Sequence, residues 1–171
     1  PELFAQARWL HVSGYLFFDS RTRAAAQLLV EQAKAHGLGV SVDPGSVAQL
    51  RAVTAAAFIE WTRGVDLVLP NLDETRVLVG ASGPFIDFEA LSDLYPHAAV
   101  KLGSMGAAYV GALGRAQLAA PRVDVHDHRG AGDAFAAGFL ASWVNKAEPK
   151  AALTQGNSVA QTCLMKSGAL P

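Results

Sequence analysis

The chain has a single cysteine, Cys163, so no internal disulfide can form and a reducing cytoplasm is the expected compartment. No apolar run approaches the roughly 18 residues of a membrane span. No positively charged leader opens the chain, which starts Pro1-Glu2 without an initiator methionine, so the expectation is that its true beginning is missing. Charged residues supply only 17% of the sequence, the formal net charge is −1, and Lys and Arg do not cluster. A surface of that kind does not track the phosphates of nucleic acid or of an anionic membrane, so any anion is held locally. Two phosphate-binding signatures are absent as well. No G-x-x-x-x-G-K-[ST] loop occurs, and Gly130-x-Gly132 lacks the third glycine of a dinucleotide fingerprint because the next is Gly138. His126, Asp127 and His128 have no further ligand cluster beside them in sequence, which favours an edge strand or loop there over a metal site.

What is present is a core. Hydrophobic residues make up 51% of 171 positions, enough for one compact globular domain. Short apolar runs alternate with longer Ala-rich segments, and Gly, Pro, Asn or Asp marks each switch. Strands are predicted over residues 9–17, 38–42, 65–69 and 98–102, with helices over 21–35, 46–60 and 72–79 between them. Gly37 reads as a C-terminal cap. Residues 107–126 read as a hairpin or two edge strands, with Tyr109-Val110 and Val123 to Val125 flanking the turn-rich "GALGR". Helices over 133–144 and 150–165 close the chain. Trp9, Trp61 and Trp143 read as packing residues, and His36 and His97 as a helix terminus and a Pro loop. The pattern predicts a Rossmann-like three-layer αβα sandwich around a mostly parallel sheet, all within a single α/β domain over 1–171. Ligands of such sheets bind where strands end and helices begin.

Four loops at that edge carry polar chemistry: Asp43-Pro44-Gly45, "PNLDE" (70–74), "KLGSMG" (101–106) and "DHRGAGDAF" (127–135). In the last, Gly130 and Gly132 can take positive φ and let a ligand approach the backbone. The amides opening the next helix lack intrahelical partners and carry partial positive charge, which makes an anion cradle. Asp133 sits beside it, where a helix start stabilises a carboxylate by about 0.3–1 kcal/mol. An acid next to an anion cradle can take a proton from an attacking hydroxyl, and it can equally be a helix cap. Asn71 with Glu74 has the same duality, since an acceptor followed three residues later by an acid is a capping pair. Gly103 and Gly106 serve a turn in any case, and Asn157 lies in an Ala-rich helix.

"GAGDAFAAGF" resembles the second signature of the ribokinase-like, or PfkB, carbohydrate and nucleoside kinases, Asp-Thr-Thr-Gly-Ala-Gly-Asp followed by Ser, Thr or Ala and then Phe. The resemblance implies that Asp133 is the catalytic base and that Gly130, Ala131 and Gly132 form the anion hole for the transferred phosphate. Asn71 and Glu74 resemble the family's Asn-x-x-Glu, with Glu74 organising magnesium through water. "KLGSMGA" resembles its nucleotide loop, which places Lys101, Gly103 and Gly106 against ATP. Asn157 falls where several members put an Asn beside adenine, and Ser167-Gly168-Ala169 resembles the stretch closing the nucleotide pocket, so Gly168 joins the ATP-binding set.

The resemblance further implies ATP and Mg2+ as cofactors, a sugar or nucleoside acceptor, and a homodimer in the full-length protein. Where the family has Thr-Thr this chain has His128-Arg129, so the monovalent-cation loop around Asp127 is not implied, and Arg129 is a candidate fixed charge near the phosphates. "DPGSV" lacks the Asn and Arg that often follow the acid, which makes Asp43 a structural residue. The family's Gly-Gly signature, its sugar-gripping acid and its lid have no counterpart here. The expectation is therefore an ATP-dependent sugar kinase whose chain is truncated and inactive alone, because lid and acceptor contacts supply several kcal/mol of positioning. A non-catalytic nucleotide-binding module, or a nucleoside kinase of the same family, is the alternative.

Overall fold

The computed structural model describes residues 2–83 and 85–166. Along the chain run α1 (Glu2–Gln6), β1 (Trp9–Ser13), α2 (Tyr15–Phe18), α3 (Ser20–Ala35), β2 (Gly39–Asp43), α4 (Val47–Val53), α5 (Ala55–Trp61), β3 (Leu67–Val68) and α6 (Leu72–Leu78). After a 3-10 turn at Phe88–Leu91 come β4 (His97–Lys101), a second 3-10 turn at Gly103–Met105, β5 (Ala107–Gly111), β6 (Gly114–Leu118), α7 (Ala131–Trp143) and α8 (Pro149–Leu164). One six-stranded sheet runs in the order β1-β2-β3-β4-β5-β6. The pairings from β1 to β4 are parallel, and β5 and β6 add antiparallel strands at one edge.

The strands alternate with period two, and the two faces bury different helices. Val12, Val40, Val42, Val68, Ala98 and Val100 face the core shared with α2 to α6, where Phe17, Val30, Leu50 and Phe58 are buried. Leu67, Leu69, Ala99 and Tyr109 face the other way, onto Phe135, Phe139 and Trp143 of α7 and Leu153 of α8. That is the expected α/β/α sandwich. Each fully buried Phe or Leu contributes about 1.5–3 kcal/mol, so both layers fix where the strand ends lie.

Helices α7 and α8 cross at two glycines. A Cβ on Gly138 would stand 2.7 Å from the Gln155 carbonyl oxygen, and one on Gly156 would stand 2.7 Å from the Phe135 ring. Only bare backbone allows this approach, which seats α7 with its N-terminus over the ends of the parallel strands.

Four expectations change. The apolar run from Trp9 does not stay a strand to Phe17: β1 stops at Ser13, and α2 turns Phe17 into the core. The cause is Gly14, whose N–H donates to the Asp43 carbonyl at 2.7 Å and whose Cβ would meet the Pro44 carbonyl oxygen at 2.3 Å. Val123 to Val125 is not a strand, because β6 starts immediately after a two-residue turn at Ala112-Leu113, with Gly111 paired to Gly114. The helix expected over 46–60 is two, broken at Thr54, which takes φ 74° and caps α5 through its hydroxyl. His97, expected in a Pro loop, opens β4 and bonds the Tyr109 hydroxyl at 2.7 Å.

Candidate active site

Parallel strands with period-two alternation deliver a polar row to one end of the α7 face. Trp9, His11 and Ser13 of β1 share that face with Ser41 and Asp43 of β2, since His11 is in register with Ser41 and Ser13 with Asp43. Ala99 and Lys101 continue it on β4. The last residues, Asp43 and Lys101, lie where the strands give way to loops, and their side chains form an ion pair across the intervening β3. Both side chains are mostly buried, at 12% and 14% exposure. Asp43 also accepts the Gly45 N–H at 3.1 Å, which shapes its own loop.

The next loop docks onto this pair through the backbone. Lys101 N–H donates to the Pro70 carbonyl at 2.8 Å, and Asn71 bridges to Lys101. Asn71 then caps α6 in a reciprocal box: its Oδ1 accepts the Glu74 N–H at 2.8 Å, and Glu74 Oε2 accepts the Asn71 N–H at 2.8 Å. Glu74 is buried at 2% exposure. Burial pushes its carboxyl above the usual range, the Asn71 N–H and the Lys101 charge pull it back, and the Asp43 and Asp73 charges push it up again. Capping and a ligand role are therefore compatible in one residue.

Helix α7 starts earlier than its sequence pattern indicates. Gly130 is the N-cap, with φ 76° that suits glycine alone at low strain, and Ala131 and Gly132 are the first helical residues. Gly130 has no side chain to cap the turn, and its carbonyl accepts the Ala134 N–H at 2.8 Å. Among the described residues the Gly132 and Asp133 amides meet no acceptor, so they remain available to an anion. A Cβ on Gly132 would lie 3.7 Å from Lys101 Nζ, which brings the helix start onto the Asp43–Lys101 pair. Asp133 follows, exposed in the first turn.

A cleft of about 670 Å³ opens on the far side of the same helix start. Lys101, Gly103, Gly106, Ala131, Gly132 and Asn157 all line it, and Phe135, Ala160 and Leu164 give it apolar walls. A planar base stacks well in such a slot, with a few polar groups at its rim. Gly106 closes the loop tightly, since a Cβ there would stand 2.0 Å from the Leu118 carbonyl oxygen.

The structure thus brings together Asn71, Glu74, Lys101, Gly103, Gly106, Gly130, Ala131, Gly132, Asp133 and Asn157. Gly168 lies outside the described residues. Arg129 is turned aside: its guanidinium holds both Asp127 carboxylate oxygens, at 2.8 to 3.1 Å, and is 75% exposed. It does not line the cleft, whereas His128 does. Sequence reasoning missed His11, which lies within electrostatic reach of Asp43, Lys101 and Asp133. Its only sequence signal was a histidine in an otherwise apolar strand.

Across residues 1–171 the sequence matches the model of the pfkB family carbohydrate kinases. The chain belongs to that family. It is 30% identical over 154 residues to a 2-dehydro-3-deoxygluconokinase from Thermoproteus tenax, covering 88% of this chain and 47% of that one. It is 27% identical over 169 residues to an ATP-dependent ribose-1-phosphate kinase from Halopiger xanaduensis, covering 99% of this chain and 54% of that one. The crystal structure of an adenosine kinase from Sinorhizobium meliloti superposes with a TM-score of 0.90 at 27% identity, over 99% of this chain and 53% of that one. The chain therefore spans about half the length of the relatives it matches.

Within this pfkB segment no group of three or more His, Cys, Asp or Glu side chains forms a metal-binding cluster among the described residues, so a magnesium ion would be held by Glu74 only through water. Hard carboxylate oxygens suit Mg2+, which keeps several of its own waters. The Lys101 ammonium favours the charged form of the Glu74 carboxyl, while the Asp43 and Asp73 charges oppose it. One oxygen of Glu74 is committed to the Asn71 amide, and the residue keeps a second.

Proposed function

We propose that this segment is the nucleotide-binding and phosphoryl-transfer half of an ATP-dependent sugar kinase. The observation that carries the reading is the meeting of three features at one helix start: the Gly132 and Asp133 amides, which meet no acceptor among the described residues, the Lys101 ammonium beside them, and a base-sized cleft behind. The triphosphate would lie along the cleft with its terminal group at the turn of residues 130–132, against the Gly132 and Asp133 amides, since the Ala131 N–H donates to the His128 carbonyl at 3.4 Å. Gly103 and Gly106 would border the phosphates and Asn157 the base. Asp133 would receive the hydroxyl proton of the sugar as that oxygen bonds to the γ-phosphorus, with the bond to the leaving ADP oxygen breaking opposite. Magnesium, held from the Glu74 side through water, would supply charge neutralisation between the phosphates.

Supporting the choice of ATP is the name of the Halopiger relative, and supporting a sugar acceptor are the names of both curated relatives. A nucleoside acceptor is the second reading, favoured by the TM-score of 0.90 to an adenosine kinase. Most acceptor contacts and a lid would come from residues beyond these 171, so the segment by itself is expected to turn over little, and the intact protein is expected to work in the cytoplasm as a homodimer. The test is an ADP-release assay on the intact protein against hexoses, pentoses, keto-acid sugars and nucleosides. ATP-dependent release with one sugar class supports the reading. Nucleotide binding without release for any acceptor would leave a binding module instead.

A further inference from the structure

Beyond the residues that the kinase signatures single out, β1 carries a hydrogen-bonded chain that ends at the mouth of the site. Trp9 Nε1–H donates to Ser41 Oγ at 2.9 Å, and Ser41 Oγ lies 2.8 Å from His11 Nδ1. Ser41 is fully buried. Its hydroxyl already accepts from the indole, and the one acceptor it reaches among the described residues is His11 Nδ1, so the hydroxyl proton goes there. That assignment leaves the imidazole proton on Nε2, the ring nitrogen facing away from Ser41. Among the described residues no acceptor bonds Nε2, and the histidine is exposed.

Four groups act on this histidine from three elements: Ser41 and Asp43 from β2, Lys101 from β4 and Asp133 from α7. Although the residue is exposed, the surrounding chain strips water from part of the ring, and this, together with the Lys101 charge, outweighs the Asp43 and Asp133 carboxylates and holds the imidazole below its usual pKa, on the neutral side at pH 7. A neutral ring of fixed tautomer is a directional donor rather than a charge. It would be of little use to the γ-phosphate, which on the kinase reading lies against Lys101 and the helix amides. It suits an uncharged oxygen of the molecule that gives its proton to Asp133.

We propose that His11, locked by the Trp9–Ser41 pair, contacts the acceptor substrate by donating its Nε2–H to an acceptor hydroxyl oxygen, orienting the attacking hydroxyl toward Asp133. This rests on the kinase reading above. It gives β1 a role in acceptor selection separate from the nucleotide side of the site.

Three variants of the intact protein test it: H11N, whose shorter amide cannot reach the Nε2 position; H11Q, whose amide nitrogen falls near it; and S41A, which frees the tautomer. H11N is expected to raise the KM for the acceptor about tenfold, the loss of one substrate hydrogen bond. Its KM for ATP and its ADP affinity by titration calorimetry should stay within about twofold. H11Q is expected to recover most of the acceptor KM, and S41A to fall between. An unchanged acceptor KM in H11N, or an equal loss in H11N and H11Q together with weaker ADP binding, would overturn the assignment. If wild type shows no turnover with any acceptor while binding ADP, the kinase reading has failed first, and the calorimetry on the same samples tells the two apart.

Discussion

Asp43 and Lys101 join the ends of β2 and β4 over the top of β3, two charges meeting at the hub on which the Asn71 loop and the start of α7 both rest. Neither residue is far from a ligand site, yet the pair is also a structural clamp between strands that do not touch. Breaking it leaves the surviving charge nearly buried.

Lys101→Met and Asp43→Asn are each expected to cost about 2–3 kcal/mol in urea unfolding of the isolated chain, because a mostly buried charge loses its partner. The double variant should lose less than the sum of the two. Additive losses would show that the two groups do not depend on one another.

Glu74 gives a pH signature whose sign follows from its raised carboxyl. The folded state binds its proton more tightly than the unfolded chain, so its contribution is fully present below the unfolded value, about pH 4.3, and is lost as the pH rises through the folded value. Glu74→Gln cannot lose it. The stability of this variant relative to wild type should therefore improve between about pH 4 and pH 7. Urea midpoints across that range decide the matter, and a relative stability that falls with pH would mean a carboxyl favoured in its charged form.

Two glycines in one helix separate packing from chemistry. Gly138→Ala drives a methyl into the Gln155 carbonyl, and about 1–3 kcal/mol of destabilisation is expected from overpacking. Gly132→Ala meets nothing closer than 3.7 Å, and its better helix propensity should leave stability equal or raise it by up to about 1 kcal/mol. If the Gly132 amide holds a phosphate, that same stable variant loses kcat in the intact protein. Full activity in Gly132→Ala would mean that close backbone approach is not needed there.

Much of this architecture was legible because βα repetition writes itself in apolar period and punctuation. The ends of β2 and β4, and the helices after Asp19, Asn71 and Gly130, fell within a few residues of where Gly, Asn and Asp mark them. What escaped was set by tertiary contact or by residues with no breaker signature. Nothing local in Tyr15-Leu16-Phe17-Phe18 says that it leaves the sheet; the reason is the fit of Gly14 under Pro44. Thr54 breaks a helix without being Gly or Pro. The alternation of Arg115, Ala116, Gln117 and Leu118, exposed and half-buried by turns, belongs to β6, but "GALGR" reads as turn through Arg115, so the second strand is expected at Val123 to Val125 instead.

The candidate site was legible for a different reason. Its members sit at strand-to-helix junctions, where motif and geometry coincide, so Asp133, Asn71, Glu74 and Lys101 stood out together. Asp43 stood out only as a structural residue heading its loop, and His11 not at all, because their partners, Lys101 and Ser41, lie 58 and 30 positions away. Arg129 was legible as a charge but not as one already spent on Asp127.

The central claim is that Asp133 takes a proton from the acceptor while ATP's terminal phosphate sits on the neighbouring amides. Asp133→Asn in the intact protein, assayed for ADP release and for ADP binding side by side, tests this most directly. The expected result is a fall in kcat of about 10²–10⁴-fold with nucleotide affinity retained. Turnover equal to wild type would contradict the account.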